Sequence, residues 1–307
     1  MPSNGAHEIV FRTCIATCNA SSHIRLYMQD VLGKVRESMY EGEWSKGTEK
    51  DVIATAKLHS PLACTSKELE QIRVYYLSPD NIMNDMVFDK SRGWYEGSLG
   101  KKRFTAAPYS KLAACHLQGS DMTIRVYSQM ADNTIQEYGV KDNGNWEKMS
   151  NLGPAMPGTD IACTVFRTSG PHVRVYFQHM HHGIVEKCFD HNRSGWYDGS
   201  ARFPKVQPRT SLACTSYIRD SDTVGIHVLY NTANMMREMH YDGKSWVEGH
   251  FRTECIPGTQ ISCVSWVDGS HPELRVYFQA GHEVSAISEF VWTKEKWSSG
   301  KLALSPA

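Results

Sequence analysis

Six times along the chain a cation on a short apolar strand is followed by a carboxylate and a tryptophan, with a further aromatic residue between them in five of the six. In order, the sets are Arg25, Glu37, Tyr40 and Trp44; Arg73, Asp85, Phe88 and Trp94; Arg125, Glu137, Val140 and Trp146; Arg174, Glu186, Phe189 and Trp196; His227, Glu238, Tyr241 and Trp246; Arg275, Glu289, Trp292 and Trp297. A guanidinium is a rigid fork of donors and a carboxylate offers only acceptors, so a fixed pair can hold two or three neighbouring hydroxyls at once. An aromatic face beside them covers apolar C–H surface. Together these parts describe a monosaccharide pocket without catalytic machinery. In a single set the arginine and glutamate read as well as a cross-strand ion pair, and the tryptophan as packing. Six sets with all three parts favour the pocket, because a structural ion pair needs no aromatic wall.

The cation positions are spaced by 48, 52, 49, 53 and 48 residues, so the repeat fills nearly all 307 residues. A period near 50 indicates an array or a propeller. Within each unit, short runs of Val, Ile, Tyr and Thr alternate with polar residues between Gly, Asn, Asp and Pro, which is the signature of strands and turns. In the third unit strands are expected at 112–115, 123–129, 134–140 and 146–149, with turns at Ala131-Asp132-Asn133 and Asp142-Asn143-Gly144-Asn145. Four antiparallel strands make one propeller blade. The expected fold is all-β, a six-bladed β-propeller occupying residues 1–307 as one domain, closed so that no sheet edge is left open.

The nine cysteines contain a regular subset: Cys18, Cys64, Cys115, Cys163, Cys214 and Cys263 take one equivalent place per unit. A small apolar thiol recurring once per blade reads as free, buried filling of the innermost strand. Metal ligation would want ligands clustered within a few residues, and no C-x-x-C pair occurs. His179-Met180-His181-His182 is the other metal candidate. His181 and His182 point to opposite sides of an extended segment, so an exposed turn is expected there. No cofactor and no metal are expected. Lys+Arg and Asp+Glu number 33 each, which removes the long-range attraction for nucleic acid or anionic lipid. No apolar run reaches the roughly 18 residues of a membrane span, and Met1 to His7 lack a signal-peptide pattern. A soluble protein is expected, cytoplasmic or exported by an unconventional route.

Ile124-Arg125-Val126-Tyr127 with Glu137 and Trp146, and Val173-Arg174-Val175-Tyr176 with Glu186, Phe189 and Trp196, resemble the fungal fucose-binding lectins of the Aleuria aurantia type over essentially the whole chain. The resemblance implies multivalent L-fucose binding in clefts between blades, the Arg/Glu pair from one blade and the aromatic wall from the next. It also implies a homodimer and fucosylated glycans as partners. Three clefts keep every part: Arg25/Glu37 with Phe88 and Trp94, Arg125/Glu137 with Phe189 and Trp196, and Arg174/Glu186 with Tyr241 and Trp246. Ring closure adds Arg275/Glu289 with Tyr40 and Trp44, in a longer register. Arg73/Asp85 with Val140 and Trp146, and His227/Glu238 with Trp292 and Trp297, depart from the pattern and rank as the weakest. Two rival readings are a protein-interaction propeller and a sialidase-like glycosidase. The second wants Ser-x-Asp-x-Gly-x-x-Trp boxes, which Asp142-Asn143-Gly144-Asn145-Trp146 and Asp242-Gly243-Lys244-Ser245-Trp246 only faintly match.

Overall fold

Alternation of buried and half-buried residues, as in Met83–Asp89 and Gly183–Asp190, fixes which face of each strand meets the next sheet, since a slip of one residue would reverse both faces. In the computed structural model, which describes residues 8–142, 144–181, 183–219, 223–281 and 285–305, these strands form six antiparallel sheets spanning residues 16–55, 63–96, 112–154, 161–198, 212–254 and 262–304. We number them blades 1 to 6. Every sheet is built from strands consecutive in sequence, with a short fifth strand joining blades 1 and 5. The third blade, Leu112–His116, Thr123–Gln129, Thr134–Lys141 and Glu147–Pro154, follows the expected plan, except that Trp146 lies just before its outer strand. Asn143 and His182, parts of two expected turns, lie outside the described residues. Met180 and His181 are exposed in their turn.

The innermost strands, Ala16–Ala20, Ala63–Lys67, Leu112–His116, Ile161–Arg167, Leu212–Arg219 and Ser262–Asp268, pack side by side around the axis, and the first touches the last. Their Cys18, Cys64, Cys115, Cys163, Cys214 and Cys263 line an axial cavity of about 210 Å³. All six are free. Cys18, Cys115 and Cys263 are buried and the other three half-buried, so the thiols partly line a channel rather than only filling core. Burial raises the pKa of Cys64, Cys163, Cys214 and Cys263, which keeps these thiols un-ionised.

Between blades lie apolar seams, such as Tyr75, Leu77 and Met83 of blade 2 against Ile124, Val126 and Tyr138 of blade 3. Fully burying one such side chain is worth roughly 1.5–3 kcal/mol. Buried glutamines pin the seams. Gln29 donates to Lys57 O at 2.8 Å, Gln129 to Met156 O at 3.0 Å and Gln178 to Gln207 O at 2.8 Å, in each case on the linker to the next blade. Gln279 of blade 6 accepts from Arg12 N, ahead of blade 1, at 2.7 Å. With Ser38 Oγ on Ala303 O at 2.8 Å, this closes the ring, and among the described residues no strand is exchanged between blades 1 and 6. Among the described residues no helix is long and apolar enough to cross a membrane, and no three His, Cys, Asp or Glu side chains are grouped to hold a metal ion.

Candidate functional site

The tyrosine of the Arg-x-Tyr motif pairs directly across the sheet with the glutamate: Tyr27 with Glu37, Tyr127 with Glu137, Tyr176 with Glu186 and Tyr277 with Glu289. Both side chains therefore share the face turned to the next blade, and the phenol donates to Glu Oε1 at 3.0, 3.2, 2.8 and 2.9 Å respectively. The other carboxylate oxygen is held from the outer strand or the segment just after it. Ser150, Ala201 and Lys301 donate backbone N–H groups to Glu137, Glu186 and Glu289 at 3.4, 3.1 and 3.3 Å, and Lys46 Nζ lies 3.3 Å from Glu37. At Glu186 and Glu289, space for this comes from a glycine three residues past the tryptophan. A Cβ on Gly199 would fall 1.9 Å from Glu186 Oε2, and one on Gly300 2.4 Å from Glu289 Oε2.

Two residues before the tyrosine, the arginines adopt one shared pose. Nη1 of Arg25, Arg125, Arg174 and Arg275 donates to the carbonyl of the preceding residue at 3.0, 3.0, 2.9 and 3.0 Å. Each side chain keeps 13–19% exposure. Direct contact with the expected glutamate is loose, Nε to Oε1 being 3.5 Å for Arg125–Glu137 and 3.9 Å for Arg275–Glu289. A second carboxylate is closer at three clefts: Glu41 to Arg25 at 2.6 Å, Asp190 to Arg174 at 2.9 Å and Glu273 to Arg275 at 3.3 Å. Burial would raise the pKa of Asp190, but hydrogen bonds from Tyr197 and His172 and the charge of Arg174 bring it down to about 2.

The facing wall comes from the next blade. Trp94 meets Tyr27 edge-on with centroids 6.0 Å apart, Trp196 meets Tyr127 at 6.1 Å, Trp246 meets Tyr176 at 6.2 Å, and Trp44, across the closure, meets Tyr277 at 5.6 Å. Phe88, Phe189, Tyr241 and Tyr40 tilt against these indoles at 5.4–5.8 Å. All eight rings are half-buried, leaving faces open to a ligand in clefts 1, 3, 4 and 6, numbered by the blade of the arginine.

Clefts 2 and 5 are closed by their own side chains. In cleft 2, Asp85 lacks a methylene, so it bonds Arg73 at 2.8 Å instead of the tyrosine, and Tyr75 OH is left without a partner. Arg73 is 4% exposed, and Val140 and Trp146 are buried in the seam. In cleft 5, His227 Nδ1 bonds Glu238 Oε1, while Trp297 Nε1 from blade 6 takes Glu238 Oε2 at 3.1 Å. Trp292 is buried 5.1 Å from the His227 ring, and His227 is 1% exposed. The departures read in the sequence thus correspond to filled clefts. The structure adds what sequence reasoning passed over: the clamping tyrosines, the glycine at the fixed offset from tryptophan, and Glu41, Asp190 and Glu273. The first two recur in most of the repeats and were visible as a pattern; the acids were not, because Glu273 comes from a different strand than the other two.

A ring of six four-stranded blades with Tyr-clamped carboxylates, arginines and tryptophans at its seams defines a propeller of repeated inter-blade binding clefts. Residues 9–307 match the family model described as fungal fucose-specific lectin, and the chain belongs to that family, whose members bind sugar without transforming it. It is 42% identical over 317 residues, covering all of both chains, to the fucose-specific lectin of Aspergillus fumigatus. Among solved structures it is similar to the SapL1 lectin in complex with alpha methyl fucoside, with TM-score 0.89 and 37% identity over 99% of this chain and 100% of that one. The six-bladed propeller of Aleuria aurantia lectin matches with TM-score 0.82 and 28% identity over 98% and 99%.

Proposed function

We propose that the chain binds L-fucose reversibly in four inter-blade clefts and so recognises fucosylated glycans multivalently. The observation that carries this is the fourfold recurrence of a partly exposed arginine, a tyrosine-clamped glutamate and a half-buried tryptophan from the neighbouring blade. The proposed sets are Arg25, Glu37, Phe88 and Trp94; Arg125, Glu137, Phe189 and Trp196; Arg174, Glu186, Tyr241 and Trp246; and Arg275, Glu289, Tyr40 and Trp44. Arginine and glutamate take the hydroxyls, and the indole covers the C–H face with its methyl group. A small pocket with few hydrogen bonds supports a Kd of roughly micromolar to millimolar per cleft. Calorimetry with methyl α-L-fucoside should give saturable heat at about four sites per chain. Saturation by galactose with none by fucoside would refute the assignment, and failure on every glycan would leave the interaction-propeller reading. The homodimer implied by family resemblance would double the clefts, and sedimentation checks it.

A further inference from the structure

The four open clefts differ in what stands beside the arginine. Moving one register step outward from the pairs Ile24–Tyr40, Val173–Phe189 and Leu274–Trp292 reaches His23/Glu41, His172/Asp190 and Glu273/Thr293, each of which brings a carboxylate onto the guanidinium. The same step in blade 3 reaches Thr123/Lys141. Side chains two residues apart on a strand share a face, so Lys141 lies on the face of Gly139 and Arg125. Among the described residues, Arg125 has only Glu137 as an ion-pair partner, at 3.5 Å. Lys141 is 69% exposed and bound to the 45% exposed Asp121 at 3.0 Å, a surface pair of the kind that exchanges at little cost.

Resting on the fucose reading above, we infer that cleft 3 is selective for fucosylated glycans bearing an anionic group, a sulfate or a carboxylate, on the sugar beside the fucose, with Lys141 as the residue that determines this. In clefts 1, 4 and 6 such a group meets Glu41, Asp190 or Glu273; in cleft 3 it meets Arg125 and an ammonium. Exchanging a like charge for an opposite one at 5–8 Å near the surface changes affinity by about three- to tenfold at low salt, less as ionic strength rises.

The test is calorimetry at low ionic strength with two probes: methyl α-L-fucoside, and a fucosylated trisaccharide sulfated on the sugar next to fucose. The sulfated probe should show one cleft tighter than the rest, with the advantage shrinking in salt. The readout is the ratio of sulfated to neutral affinity. Lys141→Glu should collapse that ratio at the tight cleft, Lys141→Gln should lower it partway, and Glu41→Gln should raise it at a second cleft. Melting curves check that each variant is folded. Identical ratios in the parent and both Lys141 variants, or equal occupancy of all clefts by the sulfated probe, would overturn the inference while leaving the fucose reading intact. No saturable heat with methyl fucoside would sink the fucose reading and this one with it.

Discussion

Arg73 and Arg125 occupy equivalent positions in adjacent repeats, yet one is 4% and the other 19% exposed. Arg125→Ala removes a donor fork from an open cleft. Calorimetry should then count one fucoside site fewer, with little change in melting temperature. Arg73→Ala strands Asp85, whose pKa burial already raises against the pull of Arg73. It should leave the site count alone and destabilise the fold by about 3–5 kcal/mol, as breaking a buried pair does. Equal loss of sites from both variants would contradict this division. Acid should also sort the clefts. Burial raises the pKa of Glu289 despite the Tyr277 hydrogen bond and Arg275. As pH falls, cleft 6 should therefore lose fucose above the ordinary glutamate range of about 4.3. A variant with Arg25, Arg125 and Arg174 changed to alanine isolates that cleft for titration. Affinity constant down to pH 4 would show that Glu289 in its charged form does not hold the sugar.

At the scale of the blade, repetition made the architecture legible: the Arg-x-Tyr strands, the turn residues and the recurring cysteine each marked one element per unit, and in blade 3 the first three strands fall where they were expected while the outer one begins after Trp146 and runs on to Pro154. The clefts were legible to the extent that they are made of repeated residues. What the pattern could not carry was where charge goes once a side chain is shortened or swapped. That Asp85 turns to Arg73 and abandons Tyr75 depends on side-chain reach within blade 2, and that Trp297 donates into cleft 5 depends on a distance across two blades; neither follows from spacing along the chain. Blade 5 carries a further consequence. His240 stacks on His227 at 4.1 Å, and burial, with the His227 charge, lowers its pKa from 6.5 to about 4. The fold thus holds this histidine neutral, and unfolding lets it gain a proton. Its contribution is complete above about pH 6.5 and is lost as pH falls toward 4, amounting to on the order of 3 kcal/mol. Melting temperatures measured between pH 7 and pH 4 should fall less steeply in His240→Val. Parallel slopes for parent and variant would rule out this source of acid sensitivity.

At the scale of the whole molecule, four modest clefts on one rigid ring act together only on a surface that presents many ligands. Once one cleft is engaged, the next contact forms at high effective concentration, raising avidity by roughly 10² to 10⁴ over a single cleft. A variant with Arg25, Arg125 and Arg275 all changed to alanine retains Arg174, and should still bind methyl fucoside at one site while losing most agglutination of fucosylated cells. Undiminished agglutination would mean that the ring does not work by multivalence. The division of labour also accounts for the closed clefts: blades 2 and 5 contribute their walls, Trp94 and Trp246, to clefts 1 and 4, although their own arginine position is sealed.

The seam between the last blade and the first uses the same contacts as the seams that follow blades 1, 3 and 4: inner strands side by side, a buried glutamine reaching the neighbouring segment, and a tryptophan against a tyrosine. Among the described residues no strand is shared across it. A ring closed this way has no privileged starting point, so the blades can be read off in cyclic order from any linker. A circular permutant opened at the half-buried Pro157–Gly158 turn, with the present ends tethered, would put cleft 3 across the new break and make cleft 6 an internal seam, while the set of clefts offered to a glycan surface stays the same.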